Sequence, residues 1–348
     1  MPKRCLTLAK LCFLIVSLIV IALNRVDAQQ RLTAVTPLSQ IAIQLTFDAP
    51  LDPEFAKAAE NYHITPEGEV EWVTLGAQSK KALLSTTPLE IGKTYAVTVK
   101  GVAETAHEFT LPEIAEVTFG ESDGATFSGV AKDTFFIVDP ENKKARNYSA
   151  GGETFLRCTP EGSAAFIAFE IFDEFDEIGI TDGSSILEAT ITLHAELVES
   201  KSPQTLIFRR VLLPWHEGTQ KSQEAEKNDL TYNSSLHKNL PWNKPPAQAM
   251  LEGVDGDEPS DFNGSEDVAH RIDGTLTVEE SGACLIRGEL VTEAFRFWLE
   301  NPDYNYGYLL ALRDGGGTVQ FASKEHPNPE LRPGLKIRYK TAVNLDER

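Results

Sequence analysis

Five aromatic side chains fall where the sequence shows neither strand nor helix periodicity: Trp215, Tyr232, Trp242, Tyr304 and Tyr306, with Asn233, Asn243 and Arg332 as polar companions. An aromatic ring offers a flat apolar face, and amides and guanidinium groups offer hydrogen bonds around it. These are the parts needed to hold a sugar ring, which presents an apolar C–H face and a rim of hydroxyls. The same residue types also serve structure. Trp215 and Trp242 can pin a long loop onto a sandwich, since large aromatics are commonly buried. Arg332, just before Pro333, can pair with a buried carboxylate. Both roles are open at this point.

A second set is acidic. From Asp255 to Asp267 the chain alternates carboxylates with Gly and Asn, and Asp255, Asp257 and Asp261 can wrap Ca²⁺, a hard cation that takes about six to eight oxygens. The spacing is not that of an EF-hand, and a solvated acidic loop is the alternative. No other cofactor is expected. Cys158 and Cys284 form one disulfide, as a cysteine pair in an exported chain suggests, or rest as two buried free thiols in apolar strands. Catalytic motifs are missing: the sequence has no HExxH, no GxSxG and no P-loop. His216 and Glu217 are adjacent on an extended segment, so their side chains point apart. The expectation is a protein that is not an enzyme. A carboxylate pair for glycoside hydrolysis is set by space rather than by sequence, which keeps a polysaccharide-degrading enzyme as an outlying alternative.

These residues need a scaffold, and hydrophobic periodicity supplies one. Residues 40–47 (QIAIQLTF) alternate cleanly. Asp52 is placed to cap a short helix over 53–61, with Pro53 at its first position. Strands follow at 62–64, 69–73, 82–85 and 94–99, with Trp72 read as a core aromatic and His63 as a strand histidine. Further strands are expected at 133–138, 154–158, 164–171, 185–195 and 205–212. Residues 214–273 lack periodicity and are rich in Gly, Pro, Asn and Asp, the mark of a functional or disordered segment. Strands at 282–285 and 289–291 and a short helix over 292–301 lead to 308–312, 319–323 and 335–339, read as the closing edge of the domain. Short strands with Pro and Gly at the turns make an all-β fold of sandwiches.

Two resemblances follow from these residues. Phe47, Ala49-Pro50-Leu51-Asp52-Pro53, Asn61-Tyr62-His63-Ile64, Gly92-Lys93-Thr94-Tyr95 and Val97-Thr98-Val99-Lys100-Gly101-Val102 together resemble a bacterial Ig-like domain of the S-layer SbsA type. That implies a spacer or presenting β-sandwich at 29–108. Further on come Asp133-Thr134, Asn147-Tyr148-Ser149, Trp215-His216-Glu217-Gly218-Thr219, Leu230-Thr231-Tyr232-Asn233, Pro241-Trp242, Asn305-Tyr306-Gly307-Tyr308, Phe321-Ala322-Ser323-Lys324-Glu325 and Leu331-Arg332-Pro333. In this order they resemble the DNRLRE domain, also classed with carbohydrate-binding module family 96, over 109–348. The resemblance implies a jelly-roll-like antiparallel sandwich and non-catalytic polysaccharide binding by extracellular bacterial proteins. Under it, Trp215, Tyr232, Asn233, Trp242, Tyr304, Tyr306 and Arg332 are the candidate ligand contacts. Tyr232 stands where the family usually has Trp, and the acidic insert from Glu252 to Asp267 is a second departure. Gly307 is expected to supply a backbone conformation closed to residues with a Cβ.

The N-terminus sets the compartment. Lys3, Arg4 and Lys10 precede an apolar run of 13 residues at 11–23, and small residues follow at 26–28. This is a secretory signal peptide over 1–28, too short to favour a membrane span of about 20 residues. An uncleaved anchor is the alternative. The whole chain carries a net charge of −20; cleavage removes Lys3, Arg4, Lys10, Arg25 and Asp27 and leaves 28 basic against 51 acidic residues, or −23. That charge argues against nucleic acid and anionic membranes as partners. The expected protein is secreted and binds polysaccharide. The alternative is a structural or adhesive envelope protein without a sugar ligand.

Overall fold

The computed structural model describes residues 30–76, 79–102, 106–122, 124–128, 131–200, 202–243, 267–269 and 271–344. The expected signal peptide over 1–28 and the acidic set Asp255, Asp257 and Asp261 lie outside the described residues. No helix among the described residues is long and apolar enough to cross a membrane. The chain divides into two compact units. One takes the chain up to Thr36 with Ile43–Pro88 and Thr94–Thr110; the other takes Pro37–Ala42, Leu89–Lys93 and everything from Leu111 onward. Both are built of antiparallel sheets, an all-β architecture.

The first unit has a four-stranded sheet and a three-stranded one. Its strands are β1 (Leu32–Ser39), β2 (Ala42–Phe47), β3 (Tyr62–Thr65), β4 (Val70–Leu75), β5 (Lys81–Thr86), β6 (Thr94–Val99) and β7 (His107–Thr110), in the orders β1-β2-β5-β4 and β3-β6-β7. In β6 the alternation puts Tyr95, Val97 and Val99 inside, with Thr94 and Thr98 outside. The helix α1 (Pro53–Lys57) starts as its cap residues dictate: the Asp52 carboxylate accepts from the Glu54 and Phe55 amides, both at 3.0 Å, and Pro53 needs no amide partner. It ends sooner than expected, and a 3₁₀ turn over Ala59–Asn61 follows. Trp72 corrects the expectation of a core aromatic, because it is 52% exposed. A register shift between Val70 and Trp72 breaks the alternation of β4, so Glu71 and Trp72 both face solvent.

The second unit holds β8 (Ile114–Phe119), β9 (Ala131–Phe136), β10 (Tyr148–Ser149), β11 (Phe155–Cys158), β12 (Ala164–Phe169), β13 (Ile186–Val198), β14 (Gln204–Arg210), β15 (Gln223–Glu224), β16 (Ser234–Leu236), β17 (Leu240–Pro241), β18 (Gly274–Val278), β19 (Gly282–Arg287), β20 (Tyr308–Asp314), β21 (Val319–Ala322) and β22 (Gly334–Lys340). One sheet runs β11-β21-β13-β22-β8, with β19 on the other edge of β13; the other runs β18-β14-β20-β12-β9. They meet face to face. The Phe135 and Phe155 rings lie 5.7 Å apart, and the Cys158 thiol donates to Leu310 O at 3.4 Å. The short helix α2 covers Phe172–Glu177. The helix α3 (Glu289–Glu300) buries Val291, Ala294, Phe295 and Trp298, one stripe at helical spacing. It begins at Glu289, so residues 289–291 form its first turn rather than the expected strand.

Three further expectations meet the structure here. The 308–339 stretch does not close an edge: β20 is the middle strand of its sheet, and β21 and β22 belong to the other sheet. Gly307 behaves as expected. Its φ of 69° is open to glycine, and a Cβ there would meet Ile167 O at 2.1 Å. The disulfide is corrected, since Cys158 and Cys284 are free thiols. Ala195 of β13 pairs with Gly282 of β19 and with Phe321 of β21, so those two strands flank β13 on opposite sides, and β11 lies beyond β21. The cysteines are thus three strand spacings of about 4.8 Å apart, beyond the roughly 7 Å Cα limit for a disulfide. Burial pushes the Cys158 thiol up to about 12, which keeps it unreactive.

Candidate functional site

The outward face of the six-stranded sheet forms an open groove of about 550 Å³. Alternation builds it. Along β22, Leu335, Ile337 and Tyr339 point inward, so Lys336 and Arg338 point out; along β13, Ala189, Ile191 and Leu193 point inward, so Glu188, Thr190, Thr192 and His194 line the groove. Register turns these side chains into rows. Glu116, Arg338 and Glu188 form one row. Thr118, Lys336, Thr190 and Arg287 form the next, and Gly334, Thr192 and Leu285 a third. Gly334 leaves the third row without a side chain on β22, which deepens the floor beside Thr192.

The groove is rich in hydroxyls and balanced charge. Lys336 Nζ lies 3.3 Å from Glu116, and Arg338 lies 3.6 Å from Glu188. All four side chains are about half exposed, so these pairs orient the side chains more than they stabilise the fold. Arg332 sits on the rim, where its Nε donates to His326 O at 2.7 Å and its guanidinium lies 3.9 Å from Glu121. His194 Nδ1 is held by Leu331 O at 3.1 Å. Leu285 is 51% exposed and supplies apolar surface; Phe119, the aromatic ring in the lining, is buried. The chemistry offered is hydrogen bonding to an extended polar chain, without a stacking platform.

The aromatic candidates gather elsewhere. Trp215 and Trp242 are buried, packed on Phe166 with ring centroids at 5.6 and 5.9 Å. The Trp215 indole N–H donates to Tyr306 O at 2.7 Å, and that of Trp242 donates to Thr231 O at 3.0 Å. They cover the outer face of the five-stranded sheet, which explains why every residue of β12 is buried. As ligand contacts both tryptophans are therefore corrected: a buried indole with its N–H satisfied has no face to offer a sugar. Tyr232 and Tyr306 pack against the same cluster, partly buried, and Arg146 lies 4.9 Å over the Tyr232 ring. Asn233 is exposed and donates to the Asn147 side chain at 2.8 Å. Tyr304 is exposed. Of the seven candidate contacts, Arg332 lines the groove. Sequence reasoning missed Thr118, Thr190, Thr192, Lys336 and Arg338. The polar half of each alternating strand was the available signal, but it marks a solvent face without showing that the face is concave.

No family model matches the sequence, and no curated protein does. Solved structures show weak likeness. The S-layer protein rSbsC(31-844) matches at 13% identity over 41% of this chain and 24% of its own, with a TM-score of 0.24. An L,D-transpeptidase from Mycobacterium smegmatis matches at 14% identity over 33% of this chain and 54% of its own, with a TM-score of 0.18. SGBP-B from a complex xyloglucan utilization locus in Bacteroides uniformis matches at 10% identity over 89% of this chain and 71% of its own, with a TM-score of 0.17. The chain thus spans about a quarter of that S-layer protein. Scores this low carry no argument about fold or function, and the DNRLRE resemblance rests on the residues that suggest it.

Proposed function

We propose that this is an exported, non-catalytic glycan-binding protein that holds a polysaccharide chain in the groove over β8, β22, β13 and β19. The observation that carries the reading is the groove itself: an open trough of about 550 Å³ lined by Thr118, Thr190 and Thr192 between charged side chains. Threonine hydroxyls donate and accept, carboxylates accept, and Lys and Arg donate, which together satisfy a run of sugar hydroxyls. Carboxylates in the groove are matched by Lys336, Arg338 and Arg332, the arrangement of a charge ladder rather than of an acid–base pair. The strongly negative chain disfavours nucleic acid as the occupant.

One observation favours a second reading. With Trp215 and Trp242 buried, the groove lacks the aromatic platform that sugar binding commonly uses, which suits a structural or adhesive envelope protein. A glycan array with the full mature chain separates the two. Binding to at least one polysaccharide class, with no reducing ends released on prolonged incubation, is the expected outcome. Binding to none supports the adhesive reading, and release of reducing ends contradicts a non-catalytic role.

A further inference from the structure

Three carboxylates far apart in sequence converge beside the five-stranded sheet. Asp133 lies in β9, Glu217 in the loop after Trp215, and Glu325 just past β21. One oxygen from each lies within 4.8 Å of the other two. Two features set this group apart from an ordinary acidic cluster. Asp133 is 1% exposed, yet its Oδ1 has no hydrogen-bond partner, and the Glu325 Oε2 is likewise buried without one. Three of the remaining oxygens are held firmly. Asp133 Oδ2 accepts from the Lys324 amide at 2.8 Å, Glu217 Oε1 accepts from the Asp133 amide at 2.9 Å, and Glu217 Oε2 lies 2.6 Å from Lys324 Nζ. Buried acceptors left without a donor carry a full desolvation penalty, so two of them within one carboxylate cluster call for a positive occupant.

We propose that Asp133, Glu217 and Glu325 form a calcium site that ties the 214–243 loop to both sheets of the second unit. Charge supports a divalent ion. The three carboxylates face one contacting ammonium, Lys324; the nearby Lys132 is matched by Glu170 at 4.0 Å and lies 4.2 Å over the Trp215 ring. With all three carboxylates ionised, the group and Lys324 together carry −2, which one divalent cation neutralises. Ligand type selects a hard cation, because every donor is a carboxylate oxygen. Calcium suits such a site better than magnesium, because it accepts an irregular oxygen shell whereas magnesium demands near-ideal octahedral geometry and keeps several of its own waters. Glu325 is about one-third exposed, so water has access to complete the coordination. Burial and the neighbouring carboxylates push the Asp133 and Glu325 carboxyls upward, and the same repulsion is what a bound cation relieves.

Asp255, Asp257 and Asp261 are a second candidate set for calcium, and the experiment must separate the two. The parent protein is therefore the full mature chain carrying Asp255→Asn, Asp257→Asn and Asp261→Asn, stripped with a chelator. Calcium titration calorimetry and thermal melting are expected to show one ion bound, with a melting temperature that rises by several degrees up to about 5 mM Ca²⁺. Adding Glu325→Gln, or Asp133→Asn as a second variant, is expected to weaken binding at least about tenfold and abolish the rise while far-UV circular dichroism is unchanged. A parent that shows neither heat nor a melting shift overturns the proposal. So does a parent whose calcium affinity survives both substitutions.

Discussion

Trp215→Ala is expected to lower the unfolding free energy of the second unit by about 3–5 kcal/mol, among the largest single-residue effects in the chain. The indole is 3% exposed and packs on Phe166; its N–H holds Tyr306 O at 2.7 Å, and the Lys132 ammonium lies 4.2 Å over its ring. Truncation empties that volume, strands the Tyr306 carbonyl and removes the ring beneath the Lys132 ammonium. Urea unfolding of the mature chain, followed by far-UV circular dichroism, reads the change as a lower midpoint. If Trp215 were a sugar platform, the substitution would leave the midpoint within about 0.5 kcal/mol of wild type and remove binding instead.

Asp273→Ala is expected to cost a similar amount, about 3–5 kcal/mol, for a different reason. The Asp273 side chain is completely buried. Arg210 Nε lies 2.8 Å from Oδ2 and its Nη2 donates to Oδ1 at 3.4 Å, Arg271 Nε lies at 3.3 Å, and the Tyr308 hydroxyl donates at 3.3 Å. Burial nevertheless pushes the carboxyl upward against the pull of both arginines, so desolvation outweighs the Coulombic gain. Such a group adds little net stability, but removing it alone leaves the Arg210 guanidinium, itself only 8% exposed, without its carboxylate. The test is a comparison. Asp273→Ala should lower the midpoint strongly, while Asp273→Leu combined with Arg210→Met should recover most of the loss. Equal losses in the single and double variants would show that the site serves packing rather than charge.

Much of the architecture could be read from periodicity. The Asp52 cap and the alternation of β6 and β22 depend on neighbours within a few residues, and each is present. What could not be read depends on register and topology. Trp72 faces outward because a bulge displaces it by one position, and no local pattern marks that bulge. Trp215 and Trp242 share their loop context with surface aromatics; their burial follows from the second face of β12, which a run of apolar residues signals without naming its cover. The groove needs four strands drawn from both ends of the second unit. The carboxylate cluster joins Asp133 to a glutamate 84 residues away and to a segment 191 residues away, a meeting that only the sandwich topology produces.

The groove can be filled without touching the core. Thr192 lines its floor opposite Gly334, and the strand at that position tolerates a large aromatic. The decisive measurement is binding of Thr192→Trp, next to wild type, to whichever polysaccharide the array identifies, with thermal melting run in parallel. Affinity at least about tenfold weaker at an unchanged melting temperature is expected if the chain lies in the groove. Undiminished affinity in a folded variant would contradict the assignment and place the ligand on another surface.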